Sequence, residues 1–422
     1  MQIKLPYTKT QSLTLSLPES LCDTRLLDIH DELPPLADAE IADILGTVAR
    51  IPAGFESILL VVSDITRKTG VHRVLPVLFK LWQTYGIREQ QVSFLFATGA
   101  HRDPSPAEIE YILGSDIAKR FAGRIFINQA LDAGSFDVYK TTSRGTPVRM
   151  SKLLRQFDRI FLTGSVKFHY FAGFGGGRKS LLPGVAHLET IISNHSKSLD
   201  HDRGDLADGV EIGRLSGNPV AEDMREAAGM VAVDAVINGV VNKKGQVISL
   251  YAGGLDEAFL AGVEKARQVY LLDIDKRADL VIGAGQGYKN MLQTHKVLYN
   301  CHQAMKPDGY KLVLSPCVDG IGSDSYREWM LHPMEELLQR HKNAPKAPDL
   351  NAQTAVSTRR KAANTYLYSN IDKQTTELFG MQKVTDLQHG VESLLRTISA
   401  TGRKPLVYIM KQAGETVVKA PV

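Results

Sequence analysis

The residues best suited to chemistry lie in one stretch, Phe168–His195, whose sequence is FHYFAGFGGGRKSLLPGVAHLETIISNH. His169 stands near its start and is separated by two residues from the apolar run IFLTGSV, and His195 ends the stretch. Three consecutive glycines followed by Arg178 and Lys179 lie between the two histidines. Imidazole is both an acid/base group at neutral pH and a metal ligand, and glycines beside fixed positive charge suit a phosphate or carboxylate. The stretch predicts an active-site loop, with a flexible surface connection as the competing interpretation.

Two further groups of polar residues follow apolar runs of the kind buried in parallel sheets. Asp64 and Arg67 come after SILLVV, and Thr98, Gly99 and His101 come after VSFLF. Ligands of open α/β sheets bind at the carboxyl ends of the strands, where an arginine can hold a carboxylate in a bidentate pair. On the residues alone, an ion pair with helix capping in the first group and a structural histidine in the second are equally good interpretations.

Strand and helix patterns alternate along the chain, which predicts the α/β class with mostly parallel sheets. IKLPY and SLTLSLP predict an N-terminal hairpin, buried strands are predicted at SILLVVS and VSFLFATG, and two more strands are predicted at RIFINQA and RIFLTGSV. ADLVIGAG, YKLVLSP and PLVYIM predict the strands of a second α/β unit. The patterns of the first unit predict helices over residues 71–85, 106–121 and 222–230.

A charged connection near residue 272 separates the two sets of strands. We therefore expect an N-terminal cofactor-binding domain at residues 1–272 and a C-terminal domain at residues 273–422, with an active-site cleft between them. Residues 342–358 are rich in Ala, Pro, Asn and Lys and predict a loop.

Composition excludes several classes of protein. The chain has 422 residues and a formal net charge of +4, which allows two or three domains and gives no indication of nucleic-acid binding. Cys22, Cys301 and Cys317 are widely spaced and odd in number, so we expect no disulfide framework and a reducing cytoplasm. Because neither a signal-peptide pattern nor an apolar run of roughly 18 residues is visible, we expect no membrane association.

Taken together, these motifs resemble the nickel-dependent lactate racemase family. His169, Lys179 within GGGRK, and His195 stand at the spacings of that family. SDITR and TGAHR, which contain Asp64 and His101, resemble its Asp-x-Thr-Arg and TG-x-HR motifs. The resemblance covers both predicted domains, with the motifs in the same order.

The match is less close in the second domain. Gln293 and Lys296 resemble a Tyr-Gln-x-x-Lys motif, but Leu292 stands where lactate racemase has Tyr. The Asp- and Pro-containing turn that normally comes before this motif is GQGYKN here. These departures leave the identity of the substrate open.

The resemblance implies a role for each site residue. His101 and His169 would be the two acid/base residues, His195 the nickel ligand, and Lys179 the point of attachment of a nickel-pincer nucleotide (pyridinium-3,5-bisthiocarboxylic acid mononucleotide nickel). The other residues that we expect to bind this cofactor are Asp64, Thr98, Gly99, Gly175, Gly176, Gly177 and Arg178. The residues expected to bind the substrate are Arg67, Leu292, Gln293 and Lys296.

The activity implied is that of a racemase or epimerase. It would invert C2 of lactate, or of a larger or polyhydroxylated 2-hydroxy acid, by hydride transfer to and from the cofactor. Hydride is the easier species to remove, because the C2 hydrogen is barely acidic beside an ionised carboxylate. The expected partners are the substrate and the enzymes that make and deliver the cofactor, and the oligomeric state is open between monomer and homodimer.

Two alternatives stay open. One is a 2-hydroxy acid dehydrogenase or lyase on the same scaffold, against which the absence of a G-x-G-x-x-G fingerprint with a following acidic residue argues. The other is a non-catalytic cofactor-binding protein, which would need Lys179 and His195 but not both acid/base histidines.

Overall fold

Two compact units make up the structure, a computed structural model that describes residues 1–29, 32–400 and 402–420. The central unit consists of Asp31–Ser198 and Asp208–Val269. The C-terminal unit consists of Met1–His30, Leu199–Ala207 and Tyr270–Val422.

Within the described residues, strands β1 to β22 lie, in chain order, at Gln2–Pro6, Ser12–Ser16, Asp23–Leu26, Ile58–Ser63, Val92–Ala97, Ile125–Ile127, Phe136–Thr141, Pro147–Ser151, Arg159–Ser165, Phe168–His169, Gly173–Phe174, Leu199–Asp200, Asp205–Leu206, Ala235–Val241, Val247–Gly253, Leu271–Asp273, Ala278–Ala284, Met305–Leu314, Thr365–Tyr368, Gln382–Lys383, Leu406–Met410 and Val417–Lys419.

In the same ranges, helices α1 to α14 lie at Asp38–Ala49, Val71–Thr84, Pro106–Leu113, Ser115–Arg120, Leu153–Gln156, Leu188–Ser196, Pro219–Ala228, Glu257–Tyr270, Met291–Ala304, Asp324–Leu331, Met334–Asn343, Ala352–Arg360, Lys373–Leu378 and Leu387–Ser399. None of these helices is long and apolar enough to cross a membrane.

The central unit is organised around a sheet with the strand order β15-β14-β9-β4-β5-β6. Neighbouring strands are parallel except for β14 and β15. In β4 and β5 every side chain but the last is buried, as is usual for strands covered on both faces. Because parallel strands end at the same edge of a sheet, β4, β5 and β9 bring the segments that follow them close together.

The C-terminal unit has a second sheet, β20-β19-β18-β17-β21-β3, in which every neighbouring pair is parallel. The predicted N-terminal hairpin, β1 and β2, packs on one face of this sheet, where Leu5 and Leu15 share an apolar core with residues of α14. The α/β class with mostly parallel sheets is therefore confirmed.

The chain crosses between the units more often than a single boundary at residue 272 allows. A crossing near that position does occur, between Val269 and Tyr270, but the first 30 residues and Leu199–Ala207 also belong to the C-terminal unit. The physical reason is long-range pairing: β3 forms the edge of the C-terminal sheet beside β21, and the β12–β13 hairpin buries Leu199 in the core of that unit. The cleft expected between the domains stays a prediction.

Two local expectations differ from the structure. The helix predicted over residues 106–121 is two helices, α3 and α4, because Gly114 adopts a φ of +88° between them. The loop predicted at residues 342–358 is wrong, since it contains the end of α11 and most of α12. Ala352, Ala355 and Val356 of α12 are fully buried, so the alanines that suggested a loop serve close packing instead.

Candidate active site

The stretch Phe168–His195 begins at the carboxyl end of β9. There β10 and β11 form a small antiparallel hairpin that carries His169. The three glycines follow and lead into a 3-10 turn at Gly177–Ser180, and α6 then places His195 in its last turn. The loop that carries both histidines therefore follows β9, one of the two central strands of the sheet.

The glycines of this loop are required by close packing. The amide of Gly175 donates to a backbone carbonyl at 2.8 Å, and that of Gly177 donates to Oδ1 of the buried Asn238 at 2.9 Å. A Cβ atom on Gly176 would lie 2.9 Å from the side chain of Val166, closer than side chains tolerate. Two of the amides expected to face a phosphate are thus bound to protein acceptors, and the loop lies tightly against β9 and β14.

Arg178 is an anchor for the loop. It is 6% exposed, its guanidinium lies 2.6 Å from Asp256, and it stacks 4.5 Å from the centre of the Phe259 ring. Asp256 also pairs with Arg225 at 2.7 Å. The sequence suggested a cofactor contact, but the structure already gives this cation an acidic partner and an aromatic one.

Lys179 contacts the first of the two histidines. Its Nζ lies 3.2 Å from Nε2 of His169, while Nδ1 of that histidine accepts the amide of Ala172 at 3.3 Å. Burial and then the positive charge of Arg67 hold the pKa of Lys179 well below its ordinary value. The adjacent Arg178 is paired with Asp256 instead. A lowered pKa favours the neutral amine, the nucleophilic form that covalent attachment to a cofactor requires.

We expect the low pKa of Lys179 to appear in its labelling by a small amine reagent. With formaldehyde and cyanoborohydride, reductive methylation of Lys179 should rise at a lower pH than that of an unperturbed lysine, because its pKa is lowered. A short lysine-containing peptide labelled in the same solution is the reference. Peptide mass spectrometry gives both pH profiles, and coincident profiles would contradict a lowered pKa of Lys179.

His101 is paired with a buried carboxylate. Its Nδ1 lies 2.6 Å from Oδ2 of Asp64, which is 5% exposed. The other carboxylate oxygen accepts the amide and hydroxyl of Thr66 at 3.1 and 2.6 Å. Burial alone would raise the pKa of Asp64, but the hydrogen bonds from His101 and Thr66 outweigh it and lower the pKa. An ionised Asp64 therefore orients the imidazole through Nδ1 and leaves Nε2 for proton transfer.

This pairing was missed at the level of sequence, where Asp64 was assigned to the cofactor. A signal for it does exist, because the two motifs follow strands that are neighbours in the sheet. Ser63 at the end of β4 is in register with Ala97 at the end of β5. The residues that come next, Asp64 and His101, then lie at one edge within reach of each other.

Replacing Asp64 by asparagine should lower kcat by about 10- to 100-fold, because the imidazole loses the carboxylate that fixes its tautomer. KM should change much less, since the substrate does not need Asp64 for binding. The stabilising effect of the lowered Asp64 pKa is present above the ordinary carboxyl pKa and is lost as the pH falls through the lowered value. Acid unfolding of the two proteins should therefore converge at low pH, and an unchanged kcat would contradict the role.

His195 is suited to bind a metal. Its ring centre lies 5.2 Å from that of Phe171, and its Nδ1 is enclosed without a hydrogen-bond partner among the described residues. Burial, followed by the charge of Lys179, lowers its pKa to about 3. A neutral imidazole with an unengaged nitrogen is what a metal ligand must be, and imidazole suits nickel. Among the described residues, no group of three or more His, Cys, Asp or Glu side chains could hold a metal ion.

The structure brings most of the predicted site residues of the central unit together. The charge of Arg67, an exposed residue, acts on Lys179, and the charges of Lys179 and His101 both act on His195. His169 joins them through its contact with Lys179.

Thr98 and Gly99 shape the turn before His101. The hydroxyl of Thr98 donates to the carbonyl of Asn128 at 2.9 Å, and the amide of Gly99, which has a φ of +56°, donates to the carbonyl of Gly184 at 2.8 Å. Both residues therefore have structural contacts.

The three remaining predicted residues lie on α9 of the C-terminal unit. Leu292 packs against the apolar core of that unit. Gln293 accepts the backbone amide of Lys289 at 3.0 Å, and Nζ of Lys296 lies 5.9 Å from the centre of the Tyr288 ring. Gln293 thus helps to close the turn before the helix.

Known proteins resemble this chain in both sequence and structure. Residues 46–206, which include His101, His169, Lys179 and His195, match the profile of the lactate racemase N-terminal domain. The lactate racemases of Thermoanaerobacterium thermosaccharolyticum and Lactiplantibacillus plantarum are each 26% identical to the chain, and the alignments cover 78% and 77% of it and 77% of each relative. The chain is therefore similar to lactate racemases over more than three quarters of its length, at modest sequence identity.

Solved structures show a similar fold. The lactate racemase apoprotein from Thermoanaerobacterium thermosaccharolyticum matches with a TM-score of 0.82 and 22% identity, over 99% of this chain and 100% of that one. A Thermotoga maritima protein from a structural genomics consortium matches with a TM-score of 0.67 and 18% identity, over 92% and 99% of the two chains.

Proposed function

We propose that this protein is a member of the lactate racemase family and an isomerase that inverts C2 of a 2-hydroxy acid. One observation carries the proposal: two histidines lie at the glycine loop, and each contacts a different charged or nucleophilic side chain. His101 is oriented by Asp64, and His169 lies beside Lys179. Reversible inversion needs an acid/base group for each enantiomer, whereas a storage protein needs neither.

The residues around the glycine loop fit a nickel-pincer nucleotide. His195, with its enclosed and unengaged Nδ1, would hold nickel together with donors of the cofactor, and the neutral amine of Lys179 would be the point of attachment. When bound, this cofactor would supply an electrophilic carbon that accepts the C2 hydrogen of the substrate as hydride.

The acid/base work falls to the two imidazoles. For one enantiomer, Nε2 of His101 would take the hydroxyl proton while Asp64 stabilises the imidazolium that forms. For the other, His169 would take it. Its Nε2 contacts Lys179 in this structure, and attachment of Lys179 to another group would release that contact. Arg67 would hold the substrate carboxylate, since a guanidinium matches its geometry.

The residues on α9 bear on which 2-hydroxy acid is used. Leu292 is aliphatic at the position where the resemblance places a tyrosine, so we propose a preference for an acid larger than lactate or one that is polyhydroxylated. Gln293 and Lys296 would supply polar contacts to it. We also place the protein in the cytoplasm, where its three cysteines, all free and buried, stay reduced, with cofactor-synthesis and delivery enzymes as partners.

The proposal is tested with protein co-produced with the cofactor-synthesis enzymes and nickel. Enantiopure 2-hydroxy acids, from lactate to polyhydroxylated acids, would be incubated with it and separated on a chiral column. We expect an acid whose only stereocentre is C2 to approach an equal mixture of its two configurations, and a polyhydroxylated acid to approach the equilibrium mixture of its two C2 epimers. Accumulation of a 2-keto acid together with reduced nicotinamide would support a dehydrogenase instead. A nickel-loaded protein that inverts no acid of the panel would favour a binding protein.

A further inference from the structure

Helix α7 is joined to the surroundings of His195 through two fully buried polar side chains. These are Asn218, the N-cap of the helix, and Asp223 in its second turn, and both are 0% exposed. Asp223 accepts a hydrogen bond from Asn194, the residue before His195, and Asn218 donates one to the carbonyl of Phe171, whose ring lies against the imidazole.

Asn218 fixes the backbone beneath one side of the imidazole. Its Oδ1 accepts two amides at the start of α7, at 3.1 and 3.2 Å, and its Nδ2 donates to the carbonyl of Phe171 at 3.0 Å and to that of Arg214 at 3.1 Å. Phe171 is the ring that lies edge-on to His195, and Nζ of Lys179 lies 5.3 Å from the centre of the same ring. One end of α7 is therefore attached to the aromatic wall of the site.

Asp223 contacts α6, the helix that carries His195. Its Oδ2 accepts Nδ2 of Asn194 at 2.8 Å and the hydroxyl of Thr146 at 2.8 Å, and its Oδ1 accepts the hydroxyl of Thr142 at 2.6 Å. Asn194 precedes His195 in α6, and the two threonines belong to the turn between β7 and β8. All three partners are buried, so one carboxylate joins α6, α7 and this turn.

Stability alone does not call for a carboxylate here. Taking a charge out of water is costly, and a well-packed apolar side chain in its place is often neutral or stabilising. Helix α6 has only nine residues, which is too short to hold its shape without tertiary contacts. Whatever secures Asn194 therefore sets the direction in which His195 points.

We propose that Asp223, assisted by Asn218, is a positioning residue for His195. The nickel part of this inference rests on the proposed function, but the orientation of the ring does not. Without Asp223, Asn194 would lose the shorter of its two hydrogen bonds to α7 and keep the one to the carbonyl of Val220 at 3.2 Å. The imidazole would then sample several directions instead of one.

The test compares Asp223→Asn with Asp349→Asn. Asp349 is a matched control, because it is a 3% exposed carboxylate that accepts Trp329 Nε1 at 3.0 Å and belongs to the C-terminal unit. The first readout is the ring ¹H–¹³C correlation spectrum of the cofactor-free protein, with the His195 signal assigned from His195→Gln. The second is nickel lost to a competing chelator from protein co-produced with the cofactor-synthesis enzymes.

We expect Asp223→Asn to shift or broaden the His195 signal and to weaken nickel retention by about 10-fold, while Asp349→Asn changes only the melting temperature. A folded Asp223→Asn protein with an unchanged His195 signal would overturn the proposal. If that variant does not fold, Thr146→Val, which removes one donor to Asp223, decides by the same two readouts. Wild-type protein that retains no nickel would refute the proposed function, whereas the spectrum would still decide the positioning role.

Discussion

Replacing Lys179 by alanine is expected to abolish C2 inversion and to leave the purified protein without bound cofactor. The amine is half-buried, lies 3.2 Å from His169, and has a pKa held well below its ordinary value by burial and by Arg67. Alanine removes the nucleophile, and the loop sequence GGGRKS contains no second lysine to replace it. The measurement pairs the initial rate of inversion with nickel content per chain.

Two control variants distinguish the loss of a nucleophilic amine from the loss of a positive charge. Lys179→Arg keeps a cation but cannot supply a neutral amine, so it should be as inactive as Lys179→Ala. Lys152→Ala, at an exposed position of the same unit, should keep the full rate and nickel content. A Lys179→Ala protein that retains nickel and racemises at the wild-type rate would contradict the proposed role of Lys179 in cofactor attachment.

Replacing His101 by alanine is expected to lower kcat by about 10²- to 10⁴-fold in both directions, the usual contribution of a general acid/base. Both directions suffer because the group that takes the proton from one enantiomer must return it to the intermediate formed from the other. Nickel content should stay at the wild-type level, since His101 is paired with Asp64 and is not proposed to hold the cofactor.

His72→Ala is the matched control for this variant, because His72 is an exposed histidine of the same unit. It should keep both the rate and the nickel content. Activity of His101→Ala within a few-fold of wild type would contradict the two-base scheme, and loss of nickel from it would assign His101 to cofactor binding instead.

The sequence was most informative where a local pattern determines the structure. The continuous apolar runs of β4 and β5 identified buried parallel strands, and the polar residues after them lie at one edge of the sheet as that arrangement requires. The position of His169 after β9 followed from the same reasoning. These features need only hydrophobic pattern and the common direction of parallel strands.

Other features depend on which distant segments meet. Asp64 could not be recognised as the partner of His101 without the register that sets Ser63 opposite Ala97. The pairing of β3 with β21 joins the two ends of the chain, and nothing in either strand alone indicates it. The glycines were interpreted as ligand contacts, whereas Gly177 donates to Asn238, a residue of β14 that no spacing connects to the loop.

The most direct test of the two-base hydride scheme follows the fate of the C2 hydrogen. A productive 2-hydroxy acid, enantiopure and deuterated at C2, would be converted in ordinary water by the cofactor-loaded protein. The product of opposite configuration would be isolated, and its deuterium content measured by mass spectrometry. The account predicts that this product keeps its deuterium, because the hydrogen leaves and returns as hydride while the histidines exchange only the hydroxyl proton. Inverted product that has lost its deuterium to solvent would contradict it and show that the C2 hydrogen leaves as a proton.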